Sequence, residues 1–214
     1  TAAIYAGGNR PGSDTSALSE EYNGSTWAEG NNLNTGRRSM PGAGTQTAAL
    51  CIAGIDPAKA NVEHYNGSSW SEEPDVNSAR GYAEATGTTS SAILWSSPAT
   101  ESWNGTAWSE VNDLNTGRNQ SSGNTGTGTA ALAAGGTPPA RALVETWDGS
   151  SWTEVGDLHN ARANLGGGGT TSLAIAVAGS PGPAITELYD GTSWTEVGDL
   201  STGRYNIRSC GTGT

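Results

Sequence analysis

The chain has no phenylalanine, one methionine, one lysine (Lys59), two histidines and two cysteines in 214 residues. Each scarcity closes off some chemistry. Cys51 and Cys210 are too few for a disulfide framework, and no paired Cys or His-x-x-x-His spacing suggests a metal site. His64 and His159 stand in unrelated contexts, and no Ser/His/Asp or Cys/His arrangement is visible, so the sequence predicts no enzyme. The glycine-rich stretches lack Gly-Lys-Ser/Thr, and Gly166 to Gly169 precedes a strand, so neither a phosphate cradle nor any cofactor is expected. No apolar run is long enough for a membrane-spanning helix, which argues against membrane insertion. No basic segment followed by an apolar stretch opens the chain, which predicts no targeting segment within it. Ten basic residues face 21 acidic ones, and a net charge of −11 argues against nucleic acid or an anionic membrane as partner.

Glycine and tryptophan are abundant instead, at 32 and 8 residues. The motif Glu-x-(Tyr/Trp)-(Asn/Asp)-Gly-x-x-Trp occurs five times, ending at Trp27, Trp70, Trp108, Trp152 and Trp194. Its intervals are 43, 38, 44 and 42 residues, and the pieces outside it together make one more period. A period of this length marks a repeat architecture in which each unit buries little alone. One domain spanning residues 1–214 is expected, monomeric as an isolated domain.

Each unit reads as four strands. Ala130 to Ala134 form a short apolar strand B, ended by Gly135-Gly136. Leu143 to Trp147 and Ser150 to Val155 read as a hairpin, C and D, around Asp148-Gly149. Every unit has this pair: Asn23-Gly24, Asn66-Gly67, Asn104-Gly105, Asp148-Gly149 and Asp190-Gly191. Asn-Gly and Asp-Gly suit a type I′ turn, which explains the pair better than the glycosylation sequon found at three of the five. Ten residues after each Trp stands an arginine: Arg37, Arg80, Arg118, Arg162 and Arg204. Strand A follows it, and the small column Gly44, Gly87, Gly169 and Gly211, broken by Thr125, suits inner strands that converge on an axis.

The expected fold is therefore all-β: a five-bladed propeller of four-stranded antiparallel blades. Its ring would close by pairing strand A at Tyr205 to Thr214 with strand B at Thr1 to Gly8, which removes exposed edges. The Trp column and its aromatic partners are expected between blades. Trp95 is expected in the core, and Cys51 shares a small apolar column with Ile4, Leu94, Leu132 and Ala176. The arginines are expected to pair with one of two Glu columns, Glu20, Glu63, Glu101, Glu145 and Glu187 or Glu29, Glu72, Glu110, Glu154 and Glu196.

The unit resembles the kelch family. The shared elements are the apolar strand, its terminal glycine pair (Gly7-Gly8, Gly135-Gly136), the Glu and aromatic that follow, and the Trp before the Arg. The units are shorter than kelch units, and the pair is broken at Gly54-Ile55, Ser97-Pro98 and Gly179-Ser180. Five-bladed lectin propellers are the neighbouring resemblance. Either implies a propeller used as a binding platform.

From each Arg to the end of strand B the units are equal in length, so all length variation falls in the B–C loop, from 4 to 13 residues. Variable loops on a rigid scaffold are where function concentrates. That face, shared with the D–A loops, carries Asn9, Arg10, Asp14, Asp56, Lys59 and Arg141. Arg38, Tyr82 and Tyr205 complete the candidate site, with Asn119, Gln120, Asn164 and Asn206 near it. Two aromatics among amides could take a sugar; packing of both tyrosines between blades is the competing reading. The sequence thus suggests a non-catalytic, lectin-like module for a glycan ligand, presented extracellularly or on a virus particle. The single lysine and the Thr/Ser/Gly/Asn-rich strands motivate that location, and a kelch-type platform for a protein ligand is the alternative.

Overall fold

The chain folds into a succession of antiparallel hairpin-linked sheets. The computed structural model describes residues 2–10, 12, 15–122 and 125–207. Blade 1 holds β1 (Ala3–Ala6), β2 (Ser19–Tyr22) and β3 (Trp27–Glu29). Blade 2 holds β4 (Gly42–Thr45), β5 (Ala48–Ile52), β6 (Val62–Tyr65) and β7 (Trp70–Glu73). Blade 3 comprises β8 (Glu84–Thr88), β9 (Ser91–Trp95), β10 (Thr100–Trp103) and β11 (Trp108–Val111). Blade 4 comprises β12 (Gly126–Thr127), β13 (Ala130–Ala134), β14 (Val144–Trp147) and β15 (Trp152–Glu154). Blade 5 comprises β16 (Gly166–Gly169), β17 (Ala174–Val177), β18 (Thr186–Tyr189) and β19 (Trp194–Val197). Strands keep chain order within each sheet, and β4 lies against β8 and β8 against β12, so the A strands converge. This is a five-bladed β-propeller. Blade 1 has three strands among the described residues; the ring-closing strand expected up to Thr214 lies, after Ile207, outside them.

Strand pairing corrects three details of the sequence reading. The first is the hairpin turn. Its glycines have positive φ, as at Gly24 (103°) and Gly149 (97°), but the preceding Asn or Asp does not, so the turn is not type I′. The loop has four residues, and the side chain holds it: Asp148 Oδ1 accepts the N–H groups of Ser150 and Ser151, both at 2.8 Å. Asn66 Oδ1 does the same for Ser68 (3.0 Å) and Ser69 (2.9 Å). An amide and a carboxylate oxygen serve equally, which explains why Asn and Asp interchange here. The donated hydrogen bonds pull the Asp148 carboxyl down to about 2.

The second detail is register. Glu63, Glu101, Glu145 and Glu187 pair with Cys51, Leu94, Ala133 and Ala176, and Glu20 pairs with Tyr5. The column of Cys51 is therefore Tyr5, Leu94, Ala133 and Ala176, one residue on from the expected Ile4 and Leu132. Blade 4 carries an extra residue between Arg118 and the end of strand B, so the B–C loop is not the sole place where length varies. The run Ala-Ala-Leu-Ala-Ala reads the same when slid by one, and only pairing decides. Burial raises the Cys51 thiol to about 12; Cys210 lies outside the described residues.

The third concerns glycine. In the corrected register the pair ending strand B is Gly7-Gly8, Ala53-Gly54, Gly135-Gly136 and Ala178-Gly179, with φ of 55° and 52° at the two alanines. Ala occupies this left-handed conformation at about 1–2 kcal/mol. The second position stays Gly because a Cβ at Gly136 would meet Asn119 O at 2.9 Å and Arg118 Cδ at 3.0 Å. Gly126, not Thr125, occupies the inner-strand column; its φ is +98°, and a Cβ there would stand 2.0 Å from Ala130 O. Close backbone approach, as much as convergence on the axis, demands glycine there. Gly211 lies outside the described residues.

Blades join through two repeated devices. In blades 2 to 5 the Trp packs on strand B of the blade before it: Trp70 with Ile4 and Ala6, Trp108 with Leu50 and Ile52, Trp152 with Ile93 and Trp95, Trp194 with Leu132 and Ala134. The crossing D–A loop is latched by the first Glu column. Arg37 meets Glu63 at 3.2 Å and Arg162 meets Glu187 at 2.6 Å, with all four side chains fully buried. Arg80 pairs with Glu101 and Arg118 with Glu145 in the same way. The joint between blades 5 and 1 is different: Trp27 is 51% exposed, and Glu20 and Arg204 are exposed too.

Candidate functional site

The latch fixes the backbone that leads into the axial mouth. Beyond each arginine the chain turns through a left-handed residue: Ser39, Tyr82, Gln120, Asn164 and Asn206, with φ between 50° and 57°. These five sit two residues after the arginine in every unit. Their backbones form a blade-to-blade ladder. Tyr82 N–H donates to Ser39 O (3.1 Å), Gln120 to Tyr82 (3.2 Å), Asn164 to Gln120 (2.8 Å) and Asn206 to Asn164 (3.1 Å). Asn adopts this conformation readily, but a tyrosine in it is strained. Such strain persists where surrounding structure over-determines it, and it clusters at functional sites.

The ladder sets the side chains in an arc around the mouth. Tyr82 is 43% exposed and Tyr205, next to Asn206, is 58% exposed. Between them stand the amides of Gln120 and Asn164, with Asn164 Nδ2 donating to Gln120 Oε1 at 3.4 Å. Neither tyrosine is buried between blades. An aromatic face beside free amide edges can stack on an apolar ring face and hydrogen-bond hydroxyls.

Of the remaining expected residues, Arg38 stands in the D–A segment directly before Ser39, and the others lie on the B–C loops. Arg38 and Asp56 form a half-exposed ion pair, with a second contact from Arg38 Nη2 to Asp56 Oδ1 at 3.4 Å. Lys59 and Arg141 occupy equivalent places: their N–H groups donate to Gly54 O and Gly136 O, each at 2.9 Å, and their carbonyls accept from Arg80 (3.1 Å) and Arg162 (3.0 Å). Their backbones belong to the scaffold. Asn9 and Arg10 are exposed on the longest loop; Asp14 lies outside the described residues. The arc's ladder was missed by sequence reasoning. Its signal was a fixed offset from the arginine occupied by no fixed residue type.

Both histidines serve the scaffold. His159 takes the place of Asn115: each binds the Glu of the next blade through its backbone N–H (2.9 and 2.8 Å) and its side chain (2.8 and 3.0 Å). His64 stands 3.4 Å from Glu73 on the neighbouring strand. A cavity of about 650 Å³ lies on the inner side, between β1, β4 and β8, with Tyr5, Met40, Leu50 and Glu84 among its walls.

No protein-family model matches the sequence, and no curated protein is similar to it. Solved structures are similar in fold. One, described as "Structure of YjhT", superposes with a TM-score of 0.76 over 91% of this chain and 81% of that one, at 12% identity. Likeness at that identity defines the class, a β-propeller, and carries no ligand across.

Proposed function

We propose that the chain is a non-catalytic binding module that takes a glycan in the arc of Tyr82, Gln120, Asn164 and Tyr205, with the B–C loops as its outer rim. The supporting observation is the arc itself, in which a strained, exposed tyrosine is held beside amides at the mouth of a rigid ring. The four latched arginines, Arg37, Arg80, Arg118 and Arg162, turn their guanidinium groups to buried carboxylates and away from the arc, whose own side chains, Tyr82, Gln120, Asn164 and Tyr205, are uncharged and suit a hydroxyl-rich ligand, with exposed Arg204 at its edge. A surface rich in Ser, Thr, Asn and Gly with a single lysine suits presentation outside a cell or on a virus particle. The kelch resemblance supports the rival reading, a platform for a protein ligand on the same face.

Tyr82→Asn tests the proposal, because Asn already occupies this left-handed position in two other units. We expect glycan-array binding by the native chain, competed by free sugar, and at least a tenfold loss in the variant. Its stability should stay within about 0.5 kcal/mol, as for an ordinary surface change. Array-negative protein that captures a partner without sugar competition would favour the protein platform.

A further inference from the structure

The hydrogen-bonded ladder fixes the size of what the arc can hold. Tyr82, Gln120 and Asn164 stand on consecutive rungs, joined by N–H···O bonds of 3.2 Å and 2.8 Å. Chains joined in this way run about 4.8 Å apart, so the backbones of Tyr82 and Asn164 are separated by no more than about 10 Å. That is the breadth of one six-membered sugar ring with its hydroxyls. Tyr205 precedes the next rung, Asn206, and bounds the arc on that side.

The arc is also closed beneath and bordered outside. The residue after each of these rungs, Ala83, Ser121 and Leu165, is at most 1% exposed, and the Ser121 hydroxyl already accepts the Trp95 indole N–H at 3.0 Å. The residue before each rung lies against a B–C loop. Asn119 and Thr137 exchange two backbone hydrogen bonds of 2.9 Å, and Ala163 and Ser180 exchange two of 3.3 and 2.6 Å. Beside Gly81, Ile55 fills the space of a side chain, since a Cβ there would meet Ile55 Cγ2 at 1.9 Å. Within this border two amides meet. Asn164 Nδ2 donates to Gln120 Oε1, which leaves Gln120 Nε2 as a donor and Asn164 Oδ1 as an acceptor side by side. Two neighbouring hydroxyls of one sugar, one accepting and one donating, match that pair while the apolar face of the same ring lies on Tyr82. Resting on the glycan reading of the arc, we infer that the site takes a single terminal sugar ring with two neighbouring free hydroxyls, and not a stretch of polysaccharide. An internal residue carries linkages on two sides and would cross the border of B–C loops twice, whereas a chain end crosses it once.

Competition against array-bound glycan tests this, with the methyl glycosides of glucose, galactose, mannose and fucose, and linear trisaccharides ending in each of them, as probes. The methyl glycoside of the preferred sugar should compete within about threefold of its trisaccharide. Glycans that carry the same sugar only at internal positions should not bind. Deoxy analogues lacking either of two neighbouring hydroxyls should compete about fivefold less well, the worth of one hydrogen bond. Gln120→Ser and Asn164→Ser place the residue of the Ser39 rung in the same left-handed position, and each should abolish the sensitivity to one of the two deletions. Should a variant fail to fold, the deoxy comparison on the native chain decides by itself. Trisaccharides that compete about tenfold or more better than the methyl glycoside would show several sugars held at once. That result, or deoxy sugars that compete as well as the parent, overturns the inference and leaves the glycan reading intact. A native chain that binds no glycan on the array ends that reading and this inference with it.

Discussion

Replacing Trp152 by alanine is expected to destabilise the fold by about 3–5 kcal/mol, the usual loss for a buried tryptophan. The ring is 5% exposed and lies edge-on to Trp95 of blade 3 at 5.4 Å, with Trp147 of its own blade at 5.6 Å. Its indole N–H donates to Thr100 Oγ1 at 3.1 Å, so truncation also leaves a buried hydroxyl without its donor. The void would open between two blades, where neither rigid sheet can collapse into it. Urea unfolding of the variant measures the effect, with Trp27→Ala as the exposed control. Unchanged stability together with lost ligand binding would make the Trp column a binding surface instead.

Glu145→Ala is the second large effect, also expected at about 3–5 kcal/mol. Glu145 is completely buried and binds the Arg118 guanidinium, Asn115 through N–H (2.8 Å) and Nδ2 (3.0 Å), and Thr116 N–H (3.4 Å). Without it, Arg118 would be a buried charge lacking its counter-ion, and the crossing loop would lose its anchor to blade 4. Glu154, paired with Glu145 across the hairpin but exposed, is the control, and Glu154→Ala should stay within about 0.5 kcal/mol. Replacing both partners, Glu145→Leu with Arg118→Met, should recover much of the loss, because the unpaired charge is then gone. A loss for Glu145→Ala no larger than for Glu154→Ala would show that the latch does not hold the joint.

The blades were legible because repetition amplifies weak signals. A single Ala-Ala-Leu-Ala-Ala run is ambiguous, but a short apolar run recurring in every unit between the Arg and the next Glu-to-Trp motif is not. That the arginines pair with a Glu column was legible, but which of the two was not: Glu145 and Glu154 are cross-strand partners on one sheet face, and they differ because Glu145 on β14 is buried whereas Glu154 lies on the exposed edge strand β15. Register was less legible. Sequence spacing cannot separate Gly7 from Gly8 or Gly135 from Gly136, whereas hydrogen bonding does. The turn chemistry was misassigned because the side-chain bonds of Asn66 and Asp148 do the work attributed to a second positive φ. At the site, exposure of Tyr82 and Tyr205 was foreseen as one of two readings. The ladder linking Ser39, Tyr82, Gln120, Asn164 and Asn206 was not, since left-handed backbone in non-glycine residues leaves no compositional trace.

Hydrogen exchange with and without a bound glycan tests the central assignment most directly. Ligand should slow exchange at the amides of Tyr82, Gln120, Asn164 and Asn206 and in the B–C loops around Asp56 and Arg141. The hairpin turns at Asn66-Gly67, Asn104-Gly105 and Asp148-Gly149, on the opposite face, should exchange as before. Protection confined to those turns, with the arc unchanged, would contradict the account.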